Sequence, residues 1–270
     1  QPNTPITYDE GMIYFGTWKQ SGGGQYYYCM DAATGDIVWR FAATGGGYYW
    51  NGATIISSAI VFTDVDGNIV SLDKYSGALL DSADCSLLYA VDGGNSLMRS
   101  SIAYSSELDM IFWTWEAGYC LALGFDSSNG TFDTSVIWKT MIGPSCSTPA
   151  VFGSRIYVGD GISYSTDGKH FHCLDALTGE EIWSFTTEGG VQSSPVISTY
   201  YHEETGRSYI YFTVNSDKGT LYCINDLGET VWSYTPSTDD GTYTLQGATP
   251  YNGWLYYGND RGKLFAIGPA

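Results

Sequence analysis

Apolar residues in this chain fall in short runs of about four to eight positions, bounded by Gly, Asp, Ser and Asn and rich in aromatic and β-branched side chains. Around the middle of the sequence such runs occupy 148–152, 155–158, 170–174 and 181–185. Gly153-Ser154 separates the first pair, a longer loop over 159–169 the second, and a turn over 175–179 the third. The pattern predicts four antiparallel strands joined in sequence as a meander. No segment keeps a helical apolar period, so almost no helix is expected.

The pattern then repeats. Cys29-Met30-Asp31-Ala32-Ala33-Thr34-Gly35-Asp36-Ile37-Val38-Trp39 returns as Cys173-Leu174-Asp175-Ala176-Leu177-Thr178-Gly179-Glu180-Glu181-Ile182-Trp183. A shorter copy runs from Cys223 to Trp232, and a degenerate one from Ser71 to Gly77. A second marker, a pair of small or polar residues before Pro or Ile, recurs at Asn3-Thr4-Pro5, Ala53-Thr54-Ile55, Ser100-Ser101-Ile102, Ser147-Thr148-Pro149, Ser193-Ser194-Pro195 and Ala248-Thr249-Pro250. The markers lie about 46 to 55 positions apart, a spacing that suits propeller blades. They define six repeats, at about 1–47, 48–94, 95–143, 144–189, 190–244 and 245–270. A unit of this size cannot bury both faces alone. The expectation is therefore a single all-β domain over 1–270, a six-bladed β-propeller of four-stranded antiparallel meanders. The last repeat lacks its outer Trp strand, so either that blade has three strands or the ring continues in residues absent from this sequence.

Each repeat contains chemistry that serves the fold. An Asp side chain can accept from backbone N–H groups two or three residues on, and Gly supplies a positive φ, which accounts for the Asp-x-x-Thr-Gly turn. Trp39, Trp138, Trp183 and Trp232 follow on the outer strand, where an indole is large enough to tie one blade to the next. Leu80 takes that place in the second repeat, so a weaker junction is expected there. Cys29, Cys120, Cys173 and Cys223 fall in one column with Ser71 and Ala266, a position that calls for a small side chain. Equivalent positions in a ring stand too far apart for a disulfide, which makes these four buried thiols. Cys85 and Cys146 fall outside the column, and the alignment leaves a bridge between them open.

The segment Ile13-Tyr14-Phe15-Gly16 followed by Tyr27-Tyr28-Cys29-Met30-Asp31-Ala32-Ala33-Thr34-Gly35-Asp36-Ile37-Val38-Trp39 resembles the pyrroloquinoline-quinone-type (PQQ-like) β-propeller repeat. The resemblance covers nearly the whole chain and is strongest in the first, fourth and fifth repeats. It implies a propeller of the kind found in quinoprotein alcohol dehydrogenases, in the bacterial outer-membrane assembly lipoprotein and in cell-surface proteins. Quinone-binding members typically have eight blades and adjacent cysteines in a vicinal disulfide. This chain has six repeats and no Cys-Cys pair, which points to the scaffold branch without a quinone cofactor.

Charge narrows the partners. With 11 basic against 29 acidic residues, a net charge of −18, the chain lacks the Lys/Arg surface that nucleic acid or anionic lipid requires. No apolar window is long enough for a transmembrane helix, so direct membrane insertion is not expected. The abrupt start at Gln1, inside the first repeat, suggests a mature or excised fragment. The 23 Tyr and 9 Trp residues, with many Gly turns, suit a secreted or cell-surface protein.

Several residue groups are candidates for function. Asp64, Asp66 and Asn68 read as the opening of a calcium loop, although a carboxylate at the end of the loop is missing and Asp-Gly also makes a tight hairpin. Asp160, Asp167 and Gly168 invite the same two readings. His170 and His172 face one side of a strand and could share a metal, but the sequence shows no third ligand. His202 lies in an insertion that reads as a solvated hairpin. Asn129-Gly130-Thr131 is a glycosylation sequon. No Gly-x-Ser-x-Gly, His-Glu-x-x-His or phosphate-binding loop is present. The positions where the chain enters each inner strand, Pro2, Gly52, Arg99, Cys146, Gln192 and Gly247, converge on one channel mouth. Arg99 and Gln192 there, with the neighbouring Tyr48-Tyr49-Trp50, form the candidate ligand-binding group for a protein or glycan. The functional expectation is an extracellular or cell-surface, non-enzymatic scaffold that binds a partner or self-assembles. The alternative is a quinoprotein-like oxidoreductase or a polysaccharide-active enzyme.

Overall fold

The computed structural model describes residues 2–19, 24–92, 94, 96–162 and 168–268. Gly22, Gly23 and Asp167 lie outside the described residues. The chain divides into two compact units, Gln1–Met141 and Ile142–Ala270.

The first unit holds three four-stranded sheets, each with its strands in sequence order. The first sheet is Thr7–Asp9, Met12–Gly16, Tyr26–Asp31 and Ile37–Ala42; the second is Thr54–Ile56, Ala59–Thr63, Asn68–Asp73 and Leu79–Asp84. The third is Ala103–Ser105, Met110–Trp115, Tyr119–Asp126 and the long Thr131–Met141. In the second unit the fourth sheet is Ala150–Phe152, Arg155–Gly159, His170–Asp175 and Glu181–Thr186, and the fifth is Val196–Ser198, Tyr209–Thr213, Leu221–Asn225 and Thr230–Tyr234. The sixth has three strands, Thr249–Tyr251, Trp254–Gly258 and Leu264–Ile267. Helix is confined, among the described residues, to single turns at Cys85–Tyr89, capped by Asp84, and at His202–Thr205.

The cysteine column holds in three sheets and has a packing explanation there; in the third sheet Cys120 pairs with Thr114 and Thr140 instead, and Ala122 is the small residue between Phe112 and Trp138. Cys29 pairs across the ladder with Tyr14 on one side and Trp39 on the other; Cys173 sits likewise between Tyr157 and Trp183, and Cys223 between Tyr211 and Trp232. The flanking rings are 6.0 Å apart in all three rows. Only a small side chain fits between them, and a thiol fills the gap without needing a strong hydrogen-bond partner. None of the six cysteines is in a disulfide, Cys85 and Cys146 included. A β-bulge follows the column position at Cys29/Met30, Ser71/Leu72, Cys173/Leu174 and Cys223/Ile224, where the strand bends into its turn.

The turns form as their residues require. The Asp31 carboxylate accepts from the N–H groups of Ala33 and Thr34 at 2.9 and 2.8 Å, and Asp175 repeats the contact with Leu177 and Thr178 at 2.9 Å each. The turn then docks on the preceding sheet. Trp39 Nε1 donates to the Lys74 carbonyl at 2.9 Å, and Trp183 Nε1 to that of Asp226 at 3.2 Å. A Cβ on Gly77 would stand 2.7 Å from the Trp39 indole, and one on Gly228 2.9 Å from Trp183. These glycines therefore give way to an aromatic face as well as adopting positive φ. In the second sheet the place of the Trp falls to Asp81, opposite Ser71, and not to Leu80 as the sequence alignment implied, and a hydrogen bond joins the sheets there: Phe132 N–H donates to the Asp81 carboxylate at 2.8 Å.

Side-chain hydroxyls, Ser147 of the small polar markers among them, stitch successive sheets. Thr7 Oγ1 donates to the Ala53 carbonyl at 2.8 Å, Ser147 Oγ to that of Ser193 at 2.8 Å, and Thr213 Oγ1 to that of Gln246 at 2.6 Å. Hydroxyls thus satisfy carbonyls left unpaired where neighbouring sheets diverge. Between sheets, Tyr27 stacks on Phe62 at 4.0 Å and Phe171 on Phe212 at 4.1 Å, forming the apolar filling of each unit.

Candidate functional site

In the first unit the segment that enters the second sheet carries an aromatic ladder. Trp18 meets Tyr49 with ring centroids 4.6 Å apart, and Tyr49 stacks on Trp50 at 4.8 Å. The Arg99 guanidinium lies over both, 4.9 Å from Tyr49 and 5.3 Å from Trp50. Its Nε faces the buried Glu116 carboxylate at 3.0 Å. Arg99, Tyr49 and Trp50 are thus brought together as their sequence positions imply. Tyr48 is not part of this face. It is buried, edge-on to Tyr27 at 5.0 Å and to Phe62 at 5.4 Å.

The ladder is held by its backbone. Trp50 has φ +68, a left-handed conformation that a bulky L-residue rarely adopts. Its N–H donates to the Asn3 carbonyl at 2.9 Å. The fully buried Asn51 locks the segment next to it. Asn51 Nδ2 donates to Thr63 Oγ1 at 2.9 Å and to the Met98 carbonyl at 2.6 Å, while Oδ1 accepts from Tyr49 N–H at 2.7 Å. Strain of this kind persists only where its surroundings over-determine it, and such residues cluster at ligand clamps. Asn51 and Glu116 carry the site's support, and sequence reading singled out neither. An Asn after an aromatic triplet and an acid 17 positions beyond the Arg were the available signals.

The Asp64 loop is tied inward. The Asp64 carboxylate accepts from Asp66 N–H at 3.0 Å, from Asn68 N–H at 2.9 Å and from Asn68 Nδ2 at 2.8 Å, and burial pushes its pKa up. Asp66 Oδ2 accepts from Gly46 N–H at 2.7 Å. These oxygens serve N–H donors of a hairpin and of the 44–46 segment. Asn129 lies exposed in the turn between the last two strands of the third sheet, its Nδ2 donating to Asp126 at 2.9 Å.

In the second unit Gln192 is buried, with Oε1 accepting from Asn215 Nδ2 and Nε2 3.6 Å from Cys146 Sγ. It borders an open depression of about 330 Å³ that also touches Lys169, Glu188 and Asn215. His170 and His172 do lie on one face of their strand, and Asp160 supplies the third group that the sequence did not reveal. His202 sits apart, paired with Ser208 at 3.1 Å.

Six antiparallel meander sheets with docked turns define a β-propeller of PQQ-like repeats. Among solved structures, BamB from Moraxella catarrhalis matches with TM-score 0.68 and 16% identity, over 97% of this chain and 71% of that one. A quinohemoprotein alcohol dehydrogenase from Pseudomonas putida matches with TM-score 0.63 and 13% identity, over 91% and 44%. These likenesses establish the fold. Residues 127–270 match the family described as outer membrane protein assembly factor BamB, and the chain belongs to that family. A curated relative, the tetrathionate hydrolase of Acidithiobacillus ferrooxidans, is 24% identical over 255 residues, 89% of this chain. The chain spans 41% of that relative's length. No helix among the described residues is long and apolar enough to cross a membrane.

Proposed function

We propose that this chain is a non-enzymatic propeller scaffold of the cell surface or outer envelope that holds a protein partner on the Trp18–Tyr49–Trp50–Arg99 ladder. The family description, an outer membrane protein assembly factor, supports the scaffold role. The observation that carries the site is Trp50 at φ +68, locked by Asn51 so that the ladder is formed before any partner arrives. Preorganised aromatic and Arg side chains are the groups that dominate protein interfaces, because little rotamer freedom remains to be lost on binding.

The left-handed backbone offers a clean test. Trp50→Gly removes the indole and at the same time relieves the strained φ, so the variant should fold at least as well as the parent. Immobilised wild-type chain, Trp50→Gly and the exposed-turn control Lys218→Ala are incubated with an envelope extract of the source cells. The reading predicts a protein retained by wild type and Lys218→Ala and released from Trp50→Gly. Equal retention by Trp50→Gly, or retention of a glycan with no protein, contradicts it.

The tetrathionate hydrolase relative favours a second reading, hydrolysis of a polythionate. Loss of tetrathionate in the presence of the purified chain would support that reading, and an unchanged concentration would remove it.

A further inference from the structure

We propose that Asp160, His170 and His172 form a binding site for a divalent transition metal, best matched by zinc. Asp160 follows the strand Arg155–Gly159, and the two histidines open the strand His170–Asp175 beside it. Asp160 Oδ2 lies 3.4 Å from His170 Nδ1 and 3.5 Å from His172 Nε2. One donor atom from each of the three residues lies within 4.8 Å of the other two.

Two accounts of the cluster set different separations. A charge-assisted N–H···O bond between imidazolium and carboxylate closes to about 2.7–2.9 Å. Two ligands on a tetrahedral zinc with bonds of about 2.0–2.1 Å stand about 3.3–3.5 Å apart. The two observed distances fit edges of a coordination polyhedron and are longer than a closed charge-assisted hydrogen bond, though within the reach of an ion pair. His172 Nε2 is moreover buried with no hydrogen-bond partner among the described residues, although the His172 side chain is only 7% exposed. A buried ring nitrogen that faces a carboxylate without a well-formed hydrogen bond is costly, and a metal between the two would satisfy both.

The surroundings fit the same role. His172 Nδ1 is 2.6 Å from Glu181 Oε2, which fixes the ring orientation and leaves Nε2 as the coordinating atom. Carboxylate–histidine pairs of this kind support metal ligands in general. Asp160 is fixed through its own backbone. Its N–H donates to the His170 carbonyl at 3.0 Å, and its carbonyl accepts from Val191 N–H at 2.7 Å. The His170 side chain is 44% exposed, so a fourth position faces water and could accept a solvent molecule or a partner's donor. Two imidazoles with a single carboxylate suit zinc or cobalt and disfavour the harder calcium and magnesium.

The test uses metal-stripped chain titrated with Co²⁺, followed by visible absorption, and with Zn²⁺ in competition with a chelating dye. Wild type should take up one metal per chain. His170→Ala, at a half-exposed position that the fold tolerates, should lose stoichiometric binding while keeping the parent's far-UV circular dichroism. Glu181→Gln should weaken zinc by about 10–100-fold. His202→Ala, outside the cluster, should bind as wild type. Zinc uptake by wild type no greater than by His170→Ala overturns the proposal and leaves His172 as an ion-paired residue.

Discussion

The docking of each turn on the preceding sheet can be measured with two glycines in equivalent turns. Gly35 and Gly77 adopt similar backbones, φ +77 and +70. A Cβ on Gly35 would meet nothing within 4 Å, whereas one on Gly77 would stand 2.7, 2.8 and 3.1 Å from atoms of Trp39. Gly35→Ala therefore costs only the left-handed backbone, about 1–2 kcal/mol. Gly77→Ala carries that cost too and must also displace a Trp39 side chain that is 8% exposed. Overpacking costs about 1–3 kcal/mol, and the Trp39–Lys74 hydrogen bond is worth about 0.5–1.5 kcal/mol if it is lost. Gly77→Ala should thus be about 2–4 kcal/mol more destabilising than Gly35→Ala. Urea unfolding followed by circular dichroism measures the difference, with each transition fitted separately because the chain has two compact units. Losses equal to within about 0.5 kcal/mol, the reach of an ordinary surface substitution, would refute the claim that the indole rests on the turn.

Other consequences are open to measurement. All six cysteines should react with a thiol reagent in denaturant without reductant and almost none in buffer, because each is buried and desolvation pushes Cys120, Cys173 and Cys223 up to about 12; fewer than four reactive thiols would overturn their assignment as free thiols. Arg99→Ala removes the cation that faces the buried Glu116 carboxylate and should cost about 3–5 kcal/mol, much of it recovered by adding Glu116→Gln; no recovery would mean that Arg99 acts through packing alone. Hydrogen bonds from Thr34 and Ala33 to Asp31, from Ser76 to Asp73 and from Ser128 to Asp126 hold these carboxyls below the usual aspartate value. Their contribution is complete above about pH 4 and is lost as pH falls through the lowered folded values, while the raised pKa of Asp64 acts in the opposite sense. The urea midpoint should fall below pH 4, less steeply in Asp73→Asn, and a midpoint that rises on acidification would contradict this.

The repeated elements were legible because each solves the same local problem. The Asp and Gly of the turn, the Trp that follows and the thiol between two rings recur in sequence because each occupies the same place in the first, fourth and fifth meanders. Among the described residues the sixth sheet has three strands, one of the two outcomes that its missing Trp strand left open. What the sequence hid depends on irregular backbone. Tyr48 adjoins Tyr49 and Trp50 in sequence only, since in the irregular segment between the first two sheets its ring turns inward onto Tyr27 and Phe62. Nothing in a Trp codon position signals φ +68, which arises from the bonds that Asn51 makes to Thr63 and Met98. Asp160 escaped notice as the partner of His170 and His172 because the loop over 159–169 separates them in sequence. The bonds from Asp160 N–H to the His170 carbonyl and from His170 N–H to the Asp160 carboxylate bring that carboxylate to the rings.

The central claim is that a preformed face around Trp50 and Arg99 holds the partner. Hydrogen exchange of the chain alone and in complex with the protein it retains tests that claim directly. The account predicts added protection over residues 48–52 and 96–100, with the outer strand Ile37–Ala42 unchanged. Protection confined to outer strands, or to the second unit, would contradict it.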